Sequence, residues 1–136
     1  DAIIVRSSWL YGPRGRHFPE AILEQAEKPG IKVVDDQRGC PTSTVELAPV
    51  LWELLERGVP GIYHAACEGS CTWYEFALAI FESRGLRGPK VVPCTTAEYP
   101  RPAKRPSMSA LDCGKLAAIR GKKLPHWRDA LRRFLA

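Results

Sequence analysis

The sequence predicts an α/β fold with parallel strands, and three observations carry that reading. Short β-branched apolar runs recur along the chain, as at Ile3–Val5 and Ile31–Val34. Between them lie stretches with apolar residues at helical spacing and residues suited to helix caps. With 136 residues, 45% of them hydrophobic and 26% charged, the chain is globular in composition and long enough for one unit around one sizeable core. Strands alternating with helices are joined by right-handed crossovers, which makes the strands parallel and places a ligand site at their carboxyl ends.

The elements follow in chain order. Ala2–Arg6 reads as a buried strand, bounded by the turn-prone Ser7, Gly12 and Pro13. Phe18–Lys28 reads as a helix with Pro19 near its first position and Ile22, Leu23 and Ala26 on one face, stopped by Pro29-Gly30. Ile31–Val34 is the next strand, and the loop Asp35–Thr42 leads from it to Ser43, which with Glu46 is spaced as a capping box. The helix so opened reaches Arg57, with Pro49 expected to distort its first turns. Gly61–Ala65 is a third strand, and Thr72 with Glu75 forms a second capping box ahead of W-Y-E-F-A-L-A-I-F-E. Lys90–Cys94 is a fourth strand. From Pro93 to Pro106 there are four prolines and little apolar periodicity, which predicts an extended surface segment. Asp112 is placed to cap a short helix to Ile119, and Pro125 opens a last helix whose Trp127, Ala130, Leu131 and Phe134 share a face.

Charge is unevenly distributed. Residues 1–83 hold seven Lys/Arg and twelve Asp/Glu, a net −5, whereas residues 84–136 hold thirteen Lys/Arg and three Asp/Glu, a net +10. The basic part reads either as a solvated face or as the seat of an anionic partner. The five cysteines are odd in number and include no C-x-x-C pair, and no Cys/His set has zinc-ligand spacing, so no metal is expected and the thiols read as free, in a reducing cytoplasm. No apolar run approaches the roughly 20 residues of a membrane span, so no membrane partner is expected. The chain opens on Asp1 rather than Met and is read as a piece of something longer.

Several chemistries are missing from these residues. There is no G-x-G-x-x-G and no G-x-x-x-x-G-K-[ST]. None of Tyr11, Tyr63, Tyr74 and Tyr99 has a lysine four positions on, and no G-x-S-x-G elbow occurs. No catalytic residue is therefore assigned within the chain.

Three separated segments, R-S-S-W-L-Y-G-P (Arg6–Pro13), V-V-D-D-Q-R-G-C-P-T (Val33–Thr42) and E-Y-P-R-P-A-K-R-P-S-M-S-A-L-D (Glu98–Asp112), resemble the dTDP-4-dehydrorhamnose reductases, a family of extended short-chain dehydrogenases/reductases. G-I-Y-H, C-T-W-Y-E-F-A and L-P-H-W-R-D-A-L match between and after them. The resemblance spans the whole chain and about the C-terminal half of such an enzyme. It implies the C-terminal portion of a Rossmann-like parallel sheet plus a small mixed α/β substrate-binding subdomain. Residues 1–65 would be the last sheet elements and ligand loops, and residues 66–136 the sugar-nucleotide-binding part. It implies an NADPH-dependent reduction of dTDP-4-dehydro-L-rhamnose by the parent enzyme, with the glycine-rich loop and the Tyr-x-x-x-Lys acid pair upstream of Asp1. The 136 residues alone are then expected to be inactive.

The same resemblance places Trp9 beside the deoxysugar, where an indole face suits sugar C–H groups; a core tryptophan is the alternative. Ser7 and Ser8 are placed near the nicotinamide or, equally, in a turn. Gln37 and Thr42 belong to a loop that reads a base or sugar edge, or in the case of Thr42 simply caps a helix. Arg105 and Arg101, on stiff proline-rich backbone near Lys104, suit bidentate contact with a diphosphate. Asp112 is read as a cap, and His64 and His126 as structural. One further reading stays open, a non-catalytic module like the reductase-like regulatory subunit of methionine adenosyltransferase; no nucleic-acid partner is expected, because the basic part lacks interleaved aromatics and a recognised motif. The sequence leaves the oligomeric state open, although an unpaired first strand would tend to seek a partner, with a homodimer as one outcome.

Overall fold

The computed structural model describes residues 2–57 and 59–136. Strand β1 (Ile3–Arg6) pairs in parallel with β6 (Gly61–His64), in register from Ile3 opposite Gly61 to Arg6 opposite His64. Strand β3 (Gly30–Val34) pairs in parallel with β8 (Lys90–Cys94), where Pro93, which has no N–H to donate, stands opposite Val33. Two very short ladders complete the strand pairing. β2 (Leu10–Tyr11) runs parallel to β5 (Thr42–Ser43), and β4 (Arg38–Gly39) antiparallel to β7 (Cys71–Thr72). Among the described residues the parallel α/β expectation is met by three of the four strand pairs, and the antiparallel one makes the fold mixed.

Helix α1 (Phe18–Leu23) is shorter than the sequence predicts. Beyond Leu23 the amides of Gln25 and Ala26 bond to Ile22 and Leu23, a tightening to i→i−3 geometry that turns the chain towards Pro29 and β3. Helix α2 (Thr44–Arg57) runs through Pro49. The predicted Ser43–Glu46 box gives way to a strand: Ser43 is a buried member of β5, and the Glu46 carboxylate binds Arg133 at 2.6 Å. Helix α3 (Trp73–Ser83) has the predicted box complete, with Thr72 N donating to Glu75 at 2.8 Å and Glu75 N to Thr72 Oγ1 at 3.1 Å. Asp112 accepts from the first amide of α4 (Gly114–Arg120) at 2.8 Å, and Gly121, at φ 70°, ends that helix. His126 caps α5 (Trp127–Leu135) by accepting from Arg128 N.

The core forms where α3 and α5 meet the strands. Phe76 and Ile80 of α3, Leu131 of α5, Leu54 of α2 and Tyr63 of β6 are almost wholly buried. Phe76 meets Trp127 edge-on at 5.7 Å and tilts against Tyr11 at the same separation. Among the described residues no helix is long and apolar enough to cross a membrane.

Candidate functional site

The chain leaving the carboxyl end of β1 is Ser7, Ser8, Trp9, and a cavity of about 970 Å³ opens there. Trp9 has φ 46°, the left-handed region that a bulky L-residue adopts only when its surroundings compel it. Its indole lies flat on Trp73, with ring centroids 3.5 Å apart and planes within 8°. Phe18 closes on Trp73 at 4.6 Å. Gly39 leaves the room this arrangement needs, because a Cβ there would overlap Cε2 of Trp9. The resemblance sets the Trp9 indole beside a sugar; in the structure one face of that indole is taken by Trp73, so the surface is a stack of two.

Opposite this aromatic wall runs the proline-rich segment, tied down at both ends. At one end Thr96 donates from N (3.0 and 2.9 Å) and from Oγ1 (2.6 Å) to the Asp36 carboxylate. At the other, Arg38 N donates to Ser107 O and Ser109 N to Arg38 O, each at 2.8 Å. Between these ties Arg101 and Arg105 line the cavity, with Arg101 lying over the Tyr99 ring at 4.7 Å. Gln37 connects the two sides: its Oε1 accepts from Trp73 Nε1 at 3.2 Å and its Nε2 donates to Thr96 Oγ1 at 2.9 Å.

Of the residues singled out from sequence, Ser7, Ser8, Trp9, Gln37, Arg101 and Arg105 all line this one cavity. Ser7 Oγ is buried and has no hydrogen-bond partner, a polar atom free to meet a ligand group. Thr42 lies elsewhere. It is fully buried, its hydroxyl donating to Cys40 O at 3.1 Å and accepting from Cys67 N at 3.2 Å, so it braces the loop from behind. Sequence reasoning misses Trp73, Phe18 and Tyr99. Trp73 falls at the i, i+3, i+4, i+7 spacing of Phe76, Ala77 and Ile80, which makes it look like core; its place as the first residue after a capping box is the available signal.

The charge asymmetry resolves into contacts. Arg120, Lys123, Arg128 and Arg133 of the basic part pair with Glu53, Glu68, Glu82 and Glu46 of the acidic part. Among the described residues Arg101, Lys104 and Arg105 form no ion pair. Hydrogen bonds from Thr96 hold the Asp36 carboxyl below the usual aspartate range. All five cysteines are free, and burial pushes the Cys67 and Cys71 thiols up to about 11 and about 12, which keeps them neutral and poor nucleophiles. His64 Nδ1 lies 3.0 Å from Asp112 O, a structural contact, and no metal-binding group of His, Cys, Asp and Glu occurs among the described residues.

An aromatic wall facing unpaired arginines at a parallel strand end defines a ligand-binding α/β unit suited to a molecule part apolar ring and part anion. Residues 1–136 match the family model described as RmlD substrate binding domain, and the chain belongs to that family. It is 44% identical over 138 residues to the spore coat polysaccharide biosynthesis protein SpsK of Bacillus subtilis (strain 168), covering 99% of this chain and 47% of that protein. It is 40% identical over 139 residues to a dTDP-4-dehydrorhamnose reductase of Mycobacterium tuberculosis, covering 100% and 46% respectively. Among solved structures, a dTDP-4-dehydrorhamnose reductase of Bacillus anthracis in complex with NADP superposes with a TM-score of 0.91 at 35% identity, covering 97% of this chain and 47% of that one. A UDP-glucose 4-epimerase of Thermus thermophilus, at 21% identity and a TM-score of 0.74, covering 98% of this chain and 45% of that one, shares the fold. The chain spans about half the length of the curated relatives it matches.

Proposed function

We propose that this chain is the sugar-nucleotide-binding part of an NADPH-dependent reductase that converts dTDP-4-dehydro-L-rhamnose to dTDP-L-rhamnose. The observation that carries the reading is the cavity itself, lined by a stacked indole pair and by two arginines that form no ion pair among the described residues. In this reading the hexose ring lies against the Trp9–Trp73 wall, and Arg101 and Arg105 grip the diphosphate. Gln37 holds the wall and the arginine segment together, and Thr42 supports the loop without touching ligand. Residues 1–65 contribute the strand end and the loops, and residues 66–136 contribute Trp73 and the arginines. A small diphosphate is favoured over nucleic acid because the other basic side chains of α4 and α5 are largely engaged in ion pairs.

NADPH, when bound, supplies a hydride to the sugar C4. Ser7 and Ser8 are the residues of this chain that would meet it, and the orphaned Ser7 hydroxyl fits that role. These 136 residues supply binding and orientation, and alone are expected to oxidise no NADPH. The reading carries a cytoplasmic location, in keeping with five free thiols, and a second copy of the chain as the partner to look for by light scattering.

The test is calorimetric titration with dTDP-L-rhamnose, together with an NADPH-oxidation assay on the protein expressed from its complete open reading frame. Saturable binding and keto-sugar-dependent oxidation are expected. Absence of either for the dTDP-sugar, or equal turnover of an unrelated ketone, overturns the reading.

A further inference from the structure

The functional reading above assigns the sugar to the aromatic wall, and on that reading the wall has an organiser other than Trp9. Trp9 sits in the left-handed backbone region, at φ 46°, and is only partly buried, so something outside its own backbone must hold the ring where it is. Trp73 does this by covering one indole face at 3.5 Å, while Gly39 keeps the space beside the ring clear of a side chain. Trp73 is itself fixed from two directions. It is the first residue of α3, behind the Thr72–Glu75 capping box, and Thr72 Oγ1 also donates to Asp35 Oδ1 at 2.6 Å. Its Nε1 donates to Gln37, and Gln37 donates to Thr96, where the arginine-bearing segment is tied.

We propose that Trp73 is a positioning residue for sugar recognition: it holds Trp9 in place by stacking and, through Gln37 and Thr96, fixes the wall relative to the segment that carries Arg101 and Arg105. The sugar-dependent share of the affinity then depends on Trp73, while the share due to the diphosphate does not.

The experiment compares dTDP-L-rhamnose with dTDP by calorimetry, using the protein expressed from its complete open reading frame. Trp73→Ala is expected to weaken dTDP-L-rhamnose about tenfold and dTDP by less than about twofold, with Trp73→Phe restoring only part of the loss, because stacking is kept while the Nε1 bond to Gln37 is not. In the Trp9→Ala background, Trp73→Ala should cost clearly less than it does alone, since only the link through Gln37 and Thr96 is then left for it to break. Should Trp73→Ala fail to fold, Gly39→Ala carries the same prediction, because it adds one methyl against the Trp9 ring and changes no polar group. Equal losses for the two nucleotides, no loss for either, or independent losses in the double variant overturn the proposal. Wild-type protein that binds dTDP but not dTDP-L-rhamnose, or neither, overturns the functional reading and this one with it. Wild-type binding that Trp73→Ala leaves intact overturns this one alone.

Discussion

The helices α4 and α5 and the proline-rich segment before them are both rich in lysine and arginine, yet they use the charge in opposite ways. On and between the helices, Arg120, Lys123, Arg128 and Arg133 reach back to glutamates of the acidic part and stitch the two halves of the chain together. On the segment, Arg101 and Arg105 face a cavity and meet no carboxylate among the described residues. Net charge cannot tell these uses apart. What separates them is whether a carboxylate comes within reach of the cationic head, as it does for the four side chains on and between the helices, and the acidic group nearest the segment's tie, Asp36, is taken by Thr96.

The sharpest way to break the contrast is to remove both segment arginines. Arg101→Ala with Arg105→Ala should weaken dTDP-L-rhamnose by about a hundredfold, the scale of two charge-assisted contacts, and leave Tm nearly unchanged in a thermal melt. The converse variant is Arg120→Ala. Its side chain is 7% exposed and forks onto Glu53 at 2.6 and 3.1 Å, so its loss should lower Tm by roughly 5 °C and leave nucleotide affinity as it was. Thr96→Val removes the hydroxyl that links Gln37 and Asp36 to the segment, and should weaken dTDP-L-rhamnose about threefold in the same titration. The smallest effect belongs to pH. Because Thr96 holds the folded Asp36 carboxyl below its ordinary range, this tie is fully present above the ordinary aspartate pKa and is lost only as pH falls through the lower folded value. Affinity should therefore be flat from about pH 8 to about 5, as read by tryptophan fluorescence.

Much of this was legible in the residues. β1, β6 and β8 show in the sequence as apolar runs, although β1, read as buried, alternates half-buried with exposed residues and leaves Ile4 open, and the Thr72–Glu75 box carries its own geometry in its spacing. The two-residue ladders at Leu10, Arg38, Thr42 and Cys71 were not legible, because so short a strand has no period of its own and exists only where tertiary packing presents a partner. Ser43 fell to the same cause, as its helix-capping spacing lost to strand pairing with Tyr11. In the site, Trp9, Gln37, Arg101 and Arg105 could be chosen by the resemblance together with the chemistry of their side chains. Thr42 could not be judged that way, since a hydroxyl facing ligand and one facing Cys40 O look alike in sequence. Trp73 was hidden by sharing the periodicity of a core stripe.

The proline-rich segment is attached on either side of residues 97–106, by side-chain and backbone hydrogen bonds to Asp36 and Arg38, and none of the core side chains comes from between those points. It is therefore a replaceable cassette. On the proposed reading, exchanging those ten residues for another ten with the same end points would retune which anionic headgroup is accepted, with the indole stack and the helices left to fold as before.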